Sequence, residues 1–195
     1  PTSPVGLRTK TSPMGSVDRP FNPISFALGC GATFVARTID SHVKHMESVL
    51  RAAAAHKGAA FVEIYQNCVI FNDKAFEDVA AKPIRDERTV DLRPGQPMVY
   101  GKELDKGLAL RGFEVESVPA DQADTWKTDV HSAGPAFVLS QLDSAVKMPR
   151  PIGIFRDIQS PTYEEGVHAQ IDAAVARKGE GSLESLIYSG DMWTV

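Results

Sequence analysis

Residues 33–65 read TFVARTIDSHVKHMESVLRAAAAHKGAAFVEIY, and this stretch decides the fold class. Thr33-Phe34-Val35-Ala36 is an apolar, β-branched start of strand length. Asp40 or Ser41 can cap the helix that follows, and Val43, Met46, Val49, Leu50 and Ala53 recur on one helical face. His56 and Lys57 suit the negative C-terminal end of that helix, and Gly58 stands where a left-handed stop belongs. Ala59 to Tyr65 is a second apolar run. Strand, helix and strand in this order and length predict a βαβ unit, whose strands pair in parallel.

Outward from this unit the patterns are shorter. Residues 1–23 hold five of the 13 prolines and predict an ordered or partly ordered loop. Asn22 then caps a short helix with Pro23 in its first turn, Phe21 and Phe26 are spaced as a hydrophobic staple, and Gly29-Cys30-Gly31 ends it. After Cys68, Asn72 or Asp73 can cap a short helix through Phe76, Val79 and Ala80. The charged stretch Lys82 to Arg88 marks a boundary. Thr89–Leu92 and Pro97–Tyr100 flank Arg93-Pro94-Gly95-Gln96 as a hairpin or bent pair of strands. Gly112–Val118 alternates as a half-exposed strand, and Ile152–Phe155 reads as a buried one. Thr162 and Glu165 form a capping box for a helix with Val167, Ile171, Ala174 and Val175 inward. Leu183–Val195 reads as a short helix with an apolar tail.

The 195 residues are 43% hydrophobic and 24% charged, which excludes disorder and fibrous repeats. A net charge of −4 disfavours a dedicated binder of nucleic acid or of anionic membranes. No apolar run is long enough for a membrane span. Pro1-Thr2-Ser3-Pro4 has no basic or apolar region of a secretory leader, and the missing initiator Met suggests an upstream portion. Two cysteines in this length point to a reducing, cytoplasmic compartment.

Cys68 is the best-placed reactive residue. It follows a strand predicted to lie in a parallel sheet, and ligands bind outside the carboxyl ends of such strands. A thiol there can be a nucleophile, a metal or iron–sulfur ligand, or a packing residue in a turn. Cys30, between two glycines, reads as a small packing residue. His42 and His45 share a helix face without supporting ligands and read as solvated. His131 and His168 have no triad-like neighbours. Asp157 either faces a site or pairs with Arg156, and Glu164-Glu165 favour a helix dipole. No Gly-rich phosphate loop occurs.

Several segments together resemble the β subunit of 2-oxoacid:ferredoxin oxidoreductases. They are Pro1-Thr2-Ser3-Pro4, Thr11-Ser12-Pro13-Met14-Gly15-Ser16, Pro20-Phe21-Asn22-Pro23, Gly31–Arg37 and Val62–Asn72. Gly153-Ile154-Phe155-Arg156, Ser160-Pro161-Thr162-Tyr163 and Trp193-Thr194-Val195 resemble the longer chains of the 2-oxoglutarate branch. The resemblance implies an α/β fold: the C-terminal part of a thiamine diphosphate-binding domain with a parallel sheet over residues 1–81. A C-terminal extension of mixed strands and helices, contacting other subunits, would follow over 82–195. It implies a subunit of a heteromeric enzyme that oxidatively decarboxylates a 2-oxo acid, 2-oxoglutarate above all, to its acyl-CoA with ferredoxin as electron acceptor. The implied cofactors are thiamine diphosphate, Mg2+ and a [4Fe-4S] cluster. The implied partners are the α subunit, an N-terminal part of the β subunit, ferredoxin, the 2-oxo acid and coenzyme A.

In that family the Cys-rich segment, the GDGD-type motif and an Asn-rich stretch precede the matching region, so most cofactor ligands lie outside these residues. One later Cys, in a Q-x-C-x-x-F-N setting, completes the cluster ligands. Cys68 matches it, with Val69 where relatives often have Pro, and the N–H groups of Val69 to Asp73 would face the cluster. The resemblance assigns no catalytic or thiamine-binding residue and no role to Cys30. The alternative is a non-catalytic assembly segment in which Cys68 only packs.

Overall fold

The computed structural model describes residues 5–70, 72–144, 148–190 and 193. Pro1 to Pro4, Phe71 and most of the tail after Gly190, including Thr194 and Val195, lie outside the described residues. Two compact units emerge, Pro1–Gln159 and Ser160–Val195.

The βαβ unit forms as its periodicity predicts. Strand β1 (Phe34–Ile39), helix α2 (Val43–Ala55) and strand β2 (Ala60–Tyr65) follow one another, and β1 pairs with β2 in parallel, Phe34 opposite Ala60 through Ile39 opposite Tyr65. Helix α1 (Pro23–Gly29) precedes them. Asn22 Oδ1 accepts from the Ser25 N–H at 3.1 Å, and the Phe21 and Phe26 rings lie 5.2 Å apart as the staple requires. Gly31, at φ +80°, turns the chain from α1 toward β1. Ahead of α1, the proline-rich loop folds back on itself through Gly6 N–H to Ser16 carbonyl and Ser16 N–H to Leu7 carbonyl bonds.

The rest of the unit differs from the sequence reading in its pairing. Short helices α3 (Glu77–Ala80) and α4 (Arg85–Arg88) lead to β3 (Thr89–Leu92), and α3 is capped at Phe76, not at Asn72 or Asp73. β3 does not form a hairpin with the Pro97–Tyr100 segment. It enters the first sheet parallel to β7 (Arg150–Asp157), while β4 (Val99–Tyr100) joins β5 (Lys106–Arg111) and β6 (Glu114–Pro119) in a second, antiparallel sheet. The first sheet has the order β2-β1-β7-β3, with β7 antiparallel to β1. The α/β class therefore stands, with a mixed sheet. Because β3 and β7 complete that sheet, the first compact unit runs past the 81/82 boundary to Gln159.

Helix α2 covers one face of this sheet, where Val49 packs with Phe34 and Ala36. On the other face α1, α5 (Gly134–Ser140) and the second sheet share a core with Val35 and Phe155. Two of the apolar residues expected inward on α2, Val43 and Leu50, are exposed. The buried positions are Val49, as expected, and His45, which is buried and not solvated. Its Nδ1 lies 2.8 Å from Thr38 Oγ1, and its Nε2 donates to Asp91 Oδ1 at 3.1 Å. At the far end of α2, His56 Nε2 lies 2.9 Å from Thr33 Oγ1, and Nδ1 donates to Asp157 Oδ1 at 2.9 Å. Two Thr–His–Asp relays thus fasten both ends of one helix to three strands. Asp157 is spent on His56, while Arg156 donates to the His131 carbonyl.

In the second unit, α6 (Tyr163–Lys178) carries the expected capping box of Thr162 and Glu165. Its expected inward residues are not buried: Ile171 and Val175 are exposed, and no residue of α6 is buried. Helix α7 (Leu183–Ile187) is capped by Ser182, and Trp193 is exposed. Among the described residues no helix is long and apolar enough to cross a membrane.

Two outcomes follow for stability. Gly153 in β7 has φ +91°, and a Cβ there would stand 2.6 Å from Asp91 Oδ1 and 2.7 Å from the Leu92 carbonyl oxygen. Gly153→Ala is therefore expected to cost about 3 kcal/mol in urea denaturation, combining left-handed strain with overpacking. For Asp91, burial pushes the carboxyl up. Hydrogen bonds and charge from His45 and Arg93 outweigh it and hold the group below its ordinary 3.8. A carboxyl depressed in the folded state contributes stability above its unfolded pKa and loses it as pH falls through the folded value. The urea-midpoint gap between the native chain and Asp91→Asn should thus be constant above about pH 5 and shrink below 3.8.

Candidate functional site

At the carboxyl ends of β1 and β2 the chain builds a loop around Cys68. Parallel pairing brings Asp40, one residue past β1, beside the end of β2, and the Asp40 N–H donates to the Tyr65 carbonyl at 3.0 Å. Asp40 does not cap α2, whose N-cap is His42 without a side-chain bond. Its carboxylate accepts instead from the Ser41 N–H at 2.5 Å and the Asn67 N–H at 3.4 Å.

The loop is closed by side chain and backbone together. Asn67 Nδ2 donates to Asp73 Oδ1 at 2.9 Å, and Asn67 Oδ1 accepts from the Lys74 N–H at 2.8 Å. Lys74 has φ +62°, a conformation uncommon outside glycine. Within this closure the Asn72 N–H donates to the Cys68 carbonyl at 3.0 Å. That N–H, expected to face a cluster, is therefore used inside the loop. The Cys68 thiol is exposed, as are its neighbours Val69 and Ile70.

Behind the loop the supports are aromatic and cationic. Tyr65 stacks on Phe76, with centroids 4.2 Å apart and planes 8° from parallel. The Arg37 guanidinium lies 5.0 Å from the Tyr65 centroid and 5.4 Å from that of Phe155. Arg37 is fully buried, donating from Nε to Glu63 Oε2 at 2.7 Å and from Nη1 to the Pro151 carbonyl at 3.2 Å. Asp40, Tyr65, Asn67, Lys74 and Phe76 border a hollow of about 450 Å³ beside the loop, within the range of small-molecule sites.

Of the cysteines and histidines singled out in the sequence, only Cys68 stands here among the described residues. Cys30 is exposed at the end of α1. His131 and His168 are exposed and lie on separate units. His42 stacks on His45, centroids 5.0 Å apart, in a second cavity of about 460 Å³ over β3 and β7. Burial, with Arg85 and His45 nearby, lowers its pKa below 6.5. The reading of Cys68 missed Asp40, Asn67 and Lys74. Only the position of Asn67 next to the thiol could have drawn attention to them.

A cysteine sulfur on an anchored loop is, once deprotonated, chemically suited to be one soft ligand of iron. Among the described residues no group of three or more His, Cys, Asp and Glu side chains is placed to hold a metal ion. Cys68 therefore fits a cluster only as one ligand of a set completed by other residues.

Residues 2–64 match the family model for the thiamine pyrophosphate enzyme C-terminal TPP binding domain. The chain is 43% identical over 202 residues to the 2-oxoglutarate oxidoreductase subunit KorB of Mycobacterium tuberculosis, covering 100% of this chain and 54% of that one. It is 38% identical over 117 residues to a 2-oxoacid:ferredoxin oxidoreductase subunit beta of Saccharolobus solfataricus, covering 58% and 38%. Its fold is similar, at TM-score 0.63 and 18% identity, to a 2-oxoglutarate:ferredoxin oxidoreductase from Magnetococcus marinus solved with 2-oxoglutarate, coenzyme A and succinyl-CoA bound. That likeness covers 98% of this chain and 52% of the other. The chain thus spans about half or less of these relatives' length. Over its whole length the chain is thus similar in sequence to the KorB subunit of a 2-oxoglutarate oxidoreductase, and in fold to a 2-oxoglutarate:ferredoxin oxidoreductase.

Proposed function

We propose that the chain is part of the β subunit of an enzyme that oxidatively decarboxylates a 2-oxo acid, with 2-oxoglutarate the preferred substrate. The reaction takes the 2-oxo acid, coenzyme A and two oxidised ferredoxins to the acyl-CoA, carbon dioxide, a proton and two singly reduced ferredoxins. Thiamine diphosphate, held with Mg2+, supplies the carbanion chemistry for decarboxylation when bound, and a [4Fe-4S] cluster supplies the one-electron steps. In this reading residues 1–81 are the chain's share of the thiamine diphosphate domain, whose sheet β3 and β7 of the following segment complete. Residues 82–195 are an extension contacting the α subunit, and the assembly works in the reducing cytoplasm, where thiolate ligands persist.

The observation that carries the reading is the placement of Cys68. Likeness over the whole of this chain and 54% of KorB supports the reading, and Cys68 stands exposed on a fastened loop at the carboxyl end of β2. The chain's own work is to present that sulfur. The β1–β2 pair sets where the loop begins, Asp40 holds its entry, and Tyr65 with Phe76 packs beneath it. The Val69 and Ile70 side chains offer an apolar rim, and lower polarity around a cluster tunes its potential.

The test is made on the iron-loaded enzyme that contains this chain. Cys68→Ser should abolish or strongly reduce the cluster's visible absorption and its EPR signal after reduction, with the melting temperature of the apoprotein unchanged. Cys30→Ser should retain both signals. An unaltered cluster in Cys68→Ser would refute the ligand assignment and favour a non-catalytic assembly segment.

A further inference from the structure

We infer that Asn67 is the positioning residue for the iron-bound thiolate, an inference that rests on the reading of Cys68 as a cluster ligand. Asn67 touches no reacting atom. Its side chain spans the loop that carries the thiol, with the amide nitrogen on the Asp73 carboxylate and the amide oxygen on the Lys74 N–H. Both bonds reach from the residue before Cys68 to the far end of the same loop, so they fix the loop's mouth. The Asn72 N–H to Cys68 carbonyl bond forms the second rung. The Asn67 N–H is itself held by Asp40, so the clamp is referred back to the sheet.

The chemistry at position 67 is specific. One group must donate to a carboxylate and accept from a backbone N–H within a single side chain, and a carboxamide does both. An aspartate in its place would set two carboxylates against each other, with Asp40 a third nearby. Lys74 adopts φ +62° while its N–H donates to this oxygen. That strained conformation accompanies the clamp and closes the loop. A thiolate ligand on a free loop would have to be ordered each time the cluster formed; a clamped one is presented already oriented.

The experiment compares Asn67→Ala, and the exchange Asn67→Asp with Asp73→Asn, in the iron-loaded holoenzyme. The exchange keeps net charge and reverses the amide–carboxylate bond, while an oxygen at position 67 still accepts from the Lys74 N–H. Asn67→Ala should lose its cluster to an iron chelator about tenfold faster, the lower end of the effect of removing an outer partner of a metal ligand. It should also show an altered EPR spectrum of the reduced cluster and faster hydrogen exchange over residues 66–76, with the melting temperature of the apoprotein unchanged. The exchange variant should return chelator resistance and spectrum to within about twofold of the native enzyme. Native chelator resistance and spectrum in Asn67→Ala, or an exchange variant as labile as Asn67→Ala, would overturn the inference. Should Asn67→Ala not fold, Asn67→Asp alone, whose carboxylate would stand against that of Asp73, should lose the cluster about tenfold faster while the exchange variant does not, and equal chelator resistance in the two would overturn the inference. A cluster retained in Cys68→Ser would instead refute the underlying ligand reading.

Discussion

A guanidinium buried in the middle of the sheet is the constraint on which the rest depends. Arg37 lies on β1, a strand with every residue buried, and it reaches Glu63 on β2 and the Pro151 carbonyl on β7. One side chain thus ties together three neighbouring strands. A charge so placed is tolerable only when paired and hydrogen-bonded, because desolvation would otherwise dominate. The Tyr65 and Phe155 rings add favourable faces for the cation. The pair need not raise net stability. It makes alternative registers of β2 expensive, since a slip would leave Arg37 buried without Glu63.

From this register the site follows. With β2 fixed beside β1, Tyr65 ends opposite Ile39, Asp40 comes within reach of Asn67, and the loop bearing Cys68 starts from a defined point. Phe76 then returns the chain beneath the loop by stacking on Tyr65. Helix α2 is held in the same frame by two buried imidazoles rather than by apolar contacts alone. Each histidine joins a β1 or pre-β1 threonine to a carboxylate from a distant strand, so helix position and strand order specify each other. Asp91 also explains Gly153: its carboxylate, shared by His45 and Arg93, occupies the space a side chain on β7 would need.

The α/β platform presents the loop bearing Cys68 at the carboxyl edge of the β1–β2 pair. The second cavity, beside His42 and His45, lies over β3 and β7 and away from that edge. Its walls include the polar fastening of α2, which accounts for His45, while His42 stacks on that ring.

The sequence by itself determined the elements whose signals are local. Apolar runs of strand length gave β1 and β2, a 3.6-residue period gave α2, side-chain caps gave the starts of α1 and α6, and the strand-end position singled out Cys68. Only the tertiary structure decided that β3 lies parallel to β7, and that His45 and His56 are buried rather than solvated or dipole partners. It alone showed Asp40 serving Asn67 instead of capping a helix. The physical reason is sequence distance. His45 meets Asp91 46 residues away and His56 meets Asp157 101 away, and a polar residue on a helix reads as solvent-facing until its partner is in place.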